Sequence, residues 1–532
     1  MLNTTNATRG MAVAPHSLAA QAALSVLSRD SGNAVEAMVA AASTVAVVYP
    51  HMNGIGGDGF WVISEPNQPV VAVEGCGVAG ADVSRNLYLE RKLESIPTRG
   101  PLAANTLAGT IGGWQQALNI SAQWGGKLSL ARLLEDAIHY AEQGIPVTPS
   151  QYASTSSKLK ELLDQPGFAQ TFLVDGKAPA AGSRFTQERM GQTLRILAEQ
   201  GLDSFYRGDL AKMIAADLAD VGSPITLQDL NDYHARTGQP VHLKHSLGDI
   251  YNSAPPTQGM VSLIILAILD RLDVGRYQED SLEYVHLVVE ATKQAFLIRD
   301  RYVTDPAYMA IDPQTCLTDE FLSPYVQAIR LDQALPWGQG KGPGDTVWMG
   351  VIDSEGRAVS FIQSIYHEFG SGVVLPRTGI NWQNRGCSFS LDPNHINALL
   401  PGKKPFHTLN SALARFHDGR TMVYGTMGGD GQPQTQATVF TRYAVFKQSV
   451  QQAITAPRWL LGRTWGQSSE SLKLESRFQP EIIDGLRALG HDVDVIGEFD
   501  EMVGHAGAIV RNPSGMFEGG FDPRSNGTVA GF

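Results

Sequence analysis

The sequence predicts an α/β (α+β) protein, built as one large body or as two or three average domains, and three observations carry that prediction. Of 532 residues, 43% are hydrophobic and 18% charged, the balance of a chain that buries a substantial core. Between about residues 105 and 331 the apolar pattern recurs mainly at helical spacing. From residue 346 onward it changes to short β-rich runs.

Taken in order, SLAAQAALSVLSR (17–29) sets Leu18, Ala22 and Val26, with Ala19 and Leu27, along one helical stripe. Ser17 is placed to cap its start, and Gly32 lies just past its end. A second helix is expected from Asn33 to Val48, stopping before Pro50; it is apolar most of the way round and therefore buried. NGIGGDGF follows, and then WVISE and VVAVEG as strands. Further on, LARLLEDAIHYAEQG and ERMGQTLRILAEQG each end in glycine, as helices commonly do. LEYVHLVVEATKQAFLIRDRY is the longest amphipathic pattern. The β-rich part holds VWMGVID, AVSFIQSI, SALARFHD, RTMVYGTM and HAGAIVRN, with QATVFTRYAVFKQSV as a helix among them. No repeat recurs at a fixed period. Residues 332–345, DQALPWGQGKGPGD, carry Pro and Gly without periodicity and mark an exposed, cleavable segment.

The formal net charge of −12 argues against nucleic acid or an anionic membrane as partner, since both select a basic face. Cys76, Cys316 and Cys387 are too few and too scattered for a disulfide framework or a zinc site, which favours a reducing compartment. The start, MLNTTNATRGMAVAPHS, lacks the basic-then-apolar pattern of a secretory signal, and the apolar stretch from Ala34 to Val48 contains Glu36 and is too short to span a bilayer. The expected location is the cytoplasm.

Among short motifs, GIGGDG (54–59) fits G-x-G-x-x-G literally, but a helix precedes it and a strand follows, the reverse of a dinucleotide-binding unit. It reads as a tight backbone loop near a site. His367-Glu368 lacks the second histidine of H-E-x-x-H and reads as a satisfied histidine. No G-x-S-x-G provides a nucleophile elbow. In YGTMGGDGQPQTQ (424–436) a strand ends in paired glycines before a helix. This is either a plain strand–helix turn or a place where the bare amides of Gly428 and Gly429 reach a reacting carbonyl; one such donor changes a rate by ~100- to 1,000-fold. Arg385, in WQNRGCSFS, either sits on a solvated face or clamps a substrate carboxylate with its planar fork. Lys403 and Lys404, beside His407, Thr408 and Asn410, read as a surface pair or an anion site. Thr346 stands alone between the Gly/Pro run and a strand. Either a loop enters a sheet there, or the chain is cut and Thr346 becomes a catalytic N-terminus.

These pieces occur together and in order in the γ-glutamyltranspeptidase family of N-terminal nucleophile hydrolases, which the chain resembles over nearly its whole length. GMAVAPHSLAAQAAL, NAVEAMVAAASTVAVVYPHMNGIGGDGF, DTVWMGVID, FGSG, PGKKPFHTLNS and GTMGGDGQPQ are each similar to stretches of that family. The resemblance implies a four-layer αββα sandwich, self-cleaved between Asp345 and Thr346 into a large chain, 1–345, and a small chain, 346–532, that stay associated. It implies that Thr346 attacks the carbonyl of Asp345, that the resulting ester is hydrolysed, and that the freed α-amine then acts as base to the Thr346 hydroxyl. Ser364 would hydrogen-bond Thr346, and Gly428 and Gly429 would form the oxyanion hole. No metal or organic cofactor is implied; a higher homo-oligomer is compatible.

The chain also departs from the family. Where γ-glutamyltranspeptidases place an Arg in a "FREMAP"-like stretch for the glutamyl carboxylate, GCGVAG sets Cys76. Arg85, the nearest arginine, lies outside that stretch and is a subsidiary candidate. An acidic residue that holds the glutamyl amine is replaced by Ser388, a usual Gln by Arg385, and an Asn by Tyr366. The paired serines for the carboxylate become His407-Thr408. The implied pocket therefore takes an anion without an α-amine, and Trp382 and Tyr366 are expected to shrink it. DTVWMGVID, SIYHEFGSGVVLPRTGINWQNRG and PFHTLNSAL resemble the oxamate-cleaving branch of the family, at the end of purine degradation. That branch implies hydrolysis of oxamate to oxalate and ammonia. The alternatives are a γ-glutamyl, glutaryl or cephalosporin-type acylase or transpeptidase and, further off, an inactive unprocessed binding homologue.

Overall fold

The computed structural model describes residues 2–338, 345–462 and 470–532, and of Asp345 the backbone alone. Fourteen strands build its two large sheets. They are β1 (Thr5–Ala7), β2 (Met11–Ala14), β3 (Asp58–Ser64), β4 (Val71–Gly75), β5 (Arg236–Gly238), β6 (Val241–His245) and β7 (Gly248–Asn252), followed by β8 (Asp345–Ile352), β9 (Ala358–Tyr366), β10 (Ala412–Phe416), β11 (Thr421–Thr426), β12 (Ala506–Arg511), β13 (Phe517–Phe521) and β14 (Thr528–Gly531). One sheet runs β14-β2-β8-β9-β3-β4-β5 and the other β1-β13-β12-β11-β10-β7-β6. Every ladder in both is antiparallel.

The alternation of side chains along each strand sorts the core into three layers. Trp348 and Ile352 of β8, Ile362 of β9 and Phe60 and Val62 of β3 meet Leu413, Val423 and Ile509 between the sheets. The opposite pleat of the first sheet, with Val347, Met349, Phe361 and Trp61, packs under the helices α1 (Ser17–Ser28), α2 (Ala34–Val48) and α3 (Thr110–Gln123). The outer face of the second sheet packs under α4 (Gly259–Arg271), α5 (Leu282–Tyr302) and α6 (Gly431–Phe440). The result is the αββα sandwich.

Most of the anticipated elements form where the pattern set them. α2 is buried on every side, and Asn33 and Glu36 close a reciprocal capping box at its start. The cap of α1 differs: His16 Nδ1, not the Ser17 hydroxyl, accepts from the Leu18 amide at 3.3 Å. The segment expected to be helical contributes three strands, β5, β6 and β7, to the large sheets, and also holds a small pair, Ile145–Pro146 with Arg184–Phe185. β5 and β6 are the outermost strands of the two sheets. Edge position accounts for their polar character, because an exposed edge is tolerated best when charged. The small chain anticipated from residue 346 also holds a three-stranded sheet, Trp459–Leu461, Leu472–Glu475 and Val493–Ile496.

The Gly/Pro segment is not loose throughout. The Ala334 amide donates to Leu489 O at 2.8 Å, the Leu335 amide to Glu290 Oε2 at 3.1 Å, and Lys293 Nζ to Leu335 O at 2.7 Å. Residues 339–344 of that segment lie outside the described residues.

Candidate active site

β8 and β9 bring the first two groups together. Their register runs from Ile352↔Ala358 up to Val347↔Gln363 and then slips, pairing Asp345 with Tyr366 and setting Thr346 opposite a bulge of Ser364 and Ile365 on β9. Thr346 is 1% exposed. On β9, Ile362 faces the other sheet, so pleat parity aims Ser364 the same way. The Ser364 hydroxyl accepts from the Tyr366 amide at 2.8 Å and from Arg385 Nη2 at 3.4 Å. Tyr366 takes φ of 82°, a strained conformation for a bulky side chain.

The facing sheet supplies the next groups. β11 ends at Thr426 and α6 begins at Gly431, and the loop between them holds Gly428 (φ 117°) and Gly429 (φ 52°). These positive φ values suit glycine, and bare amides result. Among the described residues neither amide has a protein acceptor. The Gly429 carbonyl is fixed by Gln258 Nε2 at 2.8 Å. On the first turn of α6, Gln432 Nε2 donates to Thr346 Oγ at 3.3 Å, bridging from one sheet's helix to the other sheet's strand.

Arg385 opens a single 3-10 turn, Arg385–Ser388, and is wholly buried. Its guanidinium stacks 3.9 Å from the Tyr366 ring centroid, and Nη1 lies 3.5 Å from Thr408 Oγ1. No carboxylate pairs with it among the described residues, and Nε has no partner. Burial lowers its hold on its proton, though a guanidinium stays charged at neutral pH. Of the two readings of Arg385, the solvated face is wrong, because the side chain is buried. Gly386 is obligatory beside it: a Cβ there would stand 1.7 Å from Asn105 Oδ1.

Behind Arg385 sits a polar knot that the sequence pattern did not reveal. Asp58, the acid of GIGGDG, accepts from the amides of Gly77 and Gly109 at 2.9 and 3.0 Å through Oδ1, and from His407 Nε2 at 2.8 Å through Oδ2. His407 Nδ1 lies 2.9 Å from Pro405 O. Both ring nitrogens are thus engaged, so His407 supports the site rather than offering a free donor. Burial and the Arg385 charge lower its proton affinity, against the pull of Asp58. Cys76, Asp58 and His407 have ligand atoms within 4.8 Å of one another, as do His286, Glu290 and His491. In each set the atoms already satisfy their neighbours, His286 Nδ1 meeting His491 Nε2 at 2.8 Å and Glu290 meeting Lys293 at 2.7 Å. Both sets serve as hydrogen-bonded knots.

A cavity of about 420 Å³ opens beside these groups. Tyr366, Phe406, Thr408 and Asp430 form its buried lining, with Cys387 and Ser388, while exposed Glu94, Ser95 and Asp392 form its rim. The Ser388 hydroxyl donates to Phe406 O at 3.1 Å. Several expectations need correction here. Trp382 does not line the cavity; its indole donates to Thr106 O at 2.9 Å inside the large core. The space is also larger than a minimal amide requires. Arg85, on the short helix Arg85–Leu89, makes no contact with Thr346 or Arg385 among the described residues and does not line the cavity. Lys403 and Lys404 are buried, not surface: Lys403 Nζ donates to Ile396 O and Ala398 O at 2.9 and 3.2 Å, and Lys404 pairs with Glu74.

Among the described residues the site thus gathers a buried hydroxyl opposite a bulge, two amides without a protein acceptor on the facing side and a guanidinium without a carboxylate. Comparison with known proteins agrees with that arrangement. The gamma-glutamyltranspeptidase family model matches residues 19–532. The chain belongs to the γ-glutamyltranspeptidase family. Among curated relatives, an oxamate amidohydrolase proenzyme of Klebsiella pneumoniae subsp. pneumoniae is 60% identical, covering 99% of this chain and 99% of that protein. A glutathione hydrolase-like YwrD proenzyme of Bacillus subtilis is 40% identical, covering 98% of each. Among solved structures, a cephalosporin acylase from Bacillus halodurans superposes with a TM-score of 0.90 at 33% identity, over 100% of this chain and 97% of that one. The chain is a hydrolase of this family with amidohydrolase activity. No helix among the described residues is long and apolar enough to cross a membrane.

Proposed function

We propose that the chain cuts itself between Asp345 and Thr346 and then hydrolyses oxamate to oxalate and ammonia through an ester on Thr346. The observation that carries the substrate reading is Arg385, a buried guanidinium with no carboxylate partner among the described residues, 3.4 Å from the Ser364 hydroxyl. Burying such a charge costs free energy that a bound anion would help offset. Oxamate presents a carboxylate joined directly to the scissile amide and carries no α-amine for Arg385 to repel. The relative at 60% identity bears the matching name.

The groups then take these roles. The Thr346 α-amine accepts the hydroxyl proton, as an N-terminal amine ordinarily titrates at about 7.7–8.0. Oγ attacks the amide carbon, Gly428 and Gly429 amides hold the oxyanion, and ammonia leaves with the proton. Ser364 orients Thr346; Arg385 and Thr408 hold the carboxylate, and Tyr366 and Ser388 shape the cavity wall. Water then hydrolyses the ester. The large chain, 1–345, and the small chain, 346–532, stay together on this reading, because β8 lies between β2 and β9 within one sheet. Three unpaired cysteines suit the cytoplasm.

A second reading, acylase activity on a longer acyl chain, draws on the cavity volume of about 420 Å³. The deciding experiment is intact mass followed by ammonia release from oxamate and from a glutaryl amide, with Thr346→Ala as control. Two chains meeting at residues 345 and 346, with ammonia from oxamate alone and none from the variant, is the expected result. Turnover of the glutaryl amide alone would establish the second reading; one unsplit inactive chain would leave only a binding homologue.

A further inference from the structure

Gln432 is the one side chain whose nitrogen contacts the Thr346 hydroxyl oxygen in a recorded hydrogen bond among the described residues, and its orientation is not arbitrary. Its Oε1 accepts from the Asn410 amide at 3.1 Å and from Asn410 Nδ2 at 3.2 Å. Two donors on one atom identify that atom as the carbonyl oxygen, so the NH2 must face Thr346. Asn410 is itself held, its Nδ2 also donating to Thr408 O at 3.1 Å. Gln432 and Asn410 are each fully buried.

We infer that Gln432 is a catalytic residue whose carboxamide N–H stabilises the Thr346 alkoxide as it leaves during ester hydrolysis. The inference rests on the N-terminal nucleophile reading above. A donor aimed at Oγ does little for attack, where Oγ spends its electron pair on carbon. It acts in the reverse sense, when water adds to the ester carbon, the C–Oγ bond breaks and the pair returns to Oγ. Gln432 N–H bears that charge until the ammonium of the Thr346 terminus delivers a proton. The same leaving group occurs twice. In maturation, Oγ attacks the Asp345 carbonyl, the C–N bond breaks as the amine takes a proton, and water releases Oγ from the resulting ester. In turnover, water releases it from the oxalyl ester.

The test uses Gln432→Leu in the full chain, with maturation and turnover read separately. During maturation the variant should accumulate a precursor of intact mass that hydroxylamine splits between residues 345 and 346. During turnover of oxamate, kcat should fall ~100-fold, with KM falling alongside and kcat/KM nearly preserved, because acylation is intact. Ammonia should then appear as a burst of about one equivalent per site before the slow phase. Native maturation, with no hydroxylamine-sensitive ester and no burst, would overturn the inference, as would a kcat/KM loss equal to the kcat loss. Because maturation needs no added substrate, a wrong substrate assignment would silence only the second readout. Gln432→Glu, which keeps the volume, guards against misfolding. Its activity relative to the native enzyme should climb as pH falls and the carboxyl regains a proton to donate; a flat ratio would count against the role.

Discussion

Two arginines each touch a residue that lines the same cavity, Arg299 through Asp430 and Arg385 through Tyr366, and they are buried in opposite senses. Arg299, on α5, lies against Phe296 with its guanidinium 4.1 Å from the ring centroid, much as Arg385 lies against Tyr366. Both are almost wholly inaccessible. But Arg299 pairs with Asp430 at 2.8 Å and Asp300 at 2.9 Å, and Arg385 pairs with no acid among the described residues. Burial works against the charge of each. At Arg299 the two carboxylates outweigh it and raise the hold on the proton; at Arg385 burial prevails and lowers it. A buried charge that is satisfied belongs to the architecture. On the function proposed above, one without an acid beside it serves the ligand.

That contrast can be broken from either side. The largest effect falls on the satisfied partner: Arg299→Met leaves Asp430 buried beside the Gly428-Gly429 loop without this cation, costing about 3–5 kcal/mol of stability. Calorimetry should show the melting temperature down by roughly 3–4 °C. Arg385→Met should do the reverse, leaving the melting temperature equal or higher, since no carboxylate loses a partner. Its cost appears instead in turnover, with kcat/KM for oxamate down ~100-fold or more. Arg385→Lys should fail to restore it, because an ammonium cannot stack on Tyr366 or present a fork. Equal losses of stability in both arginine variants would abolish the distinction.

The smallest effect extends the contrast to groups that, unlike arginine, can shed their charge. Burial pushes His16 down to about 4, His51 to about 3 and His505 to about 4. Unfolded, each titrates near the ordinary histidine value of about 6.5. The unfolded chain therefore binds more protons below that value. The stability this contributes is full above about pH 6.5 and is lost as pH falls toward the folded values. A melting temperature roughly 2 °C lower near pH 6 than near pH 7 is expected; a flat profile would mean these histidines are not neutral in the fold.

How much of this was legible in the sequence depends on the distance each signal had to travel. Thr346 at the edge of a Gly/Pro run, and Gly428-Gly429 between a strand and a helix, are local patterns, and the structure places them as such. β5 and β6 stayed hidden because edge strands carry polar residues that blur the alternation. Arg385 was ambiguous, since nothing in NRGC distinguishes a solvated arginine from a buried one until the second sheet covers it. Lys403 and Lys404 misled for the same reason. Asp58 and Gln432 went unread: each acts on a residue hundreds or tens of positions away, His407 and Thr346. The one available hint was polarity at positions with no local use for it, the acid in GIGGDG and the amides of GQPQTQ.

The weaving of the two sheets has a consequence for the life of the molecule. Thr346 and Ser364 stand on one sheet, the paired glycines and Gln432 on the loop and helix that follow a strand of the other, and Gln432 reaches Thr346 only when both sheets have formed and closed on each other. A nascent or half-collapsed chain lacks the means to sever itself. The break at residues 345–346 would then be a record of completed folding, written once and never erased. The ratio of split to unsplit protein in a cell extract would count the molecules that reached the native state.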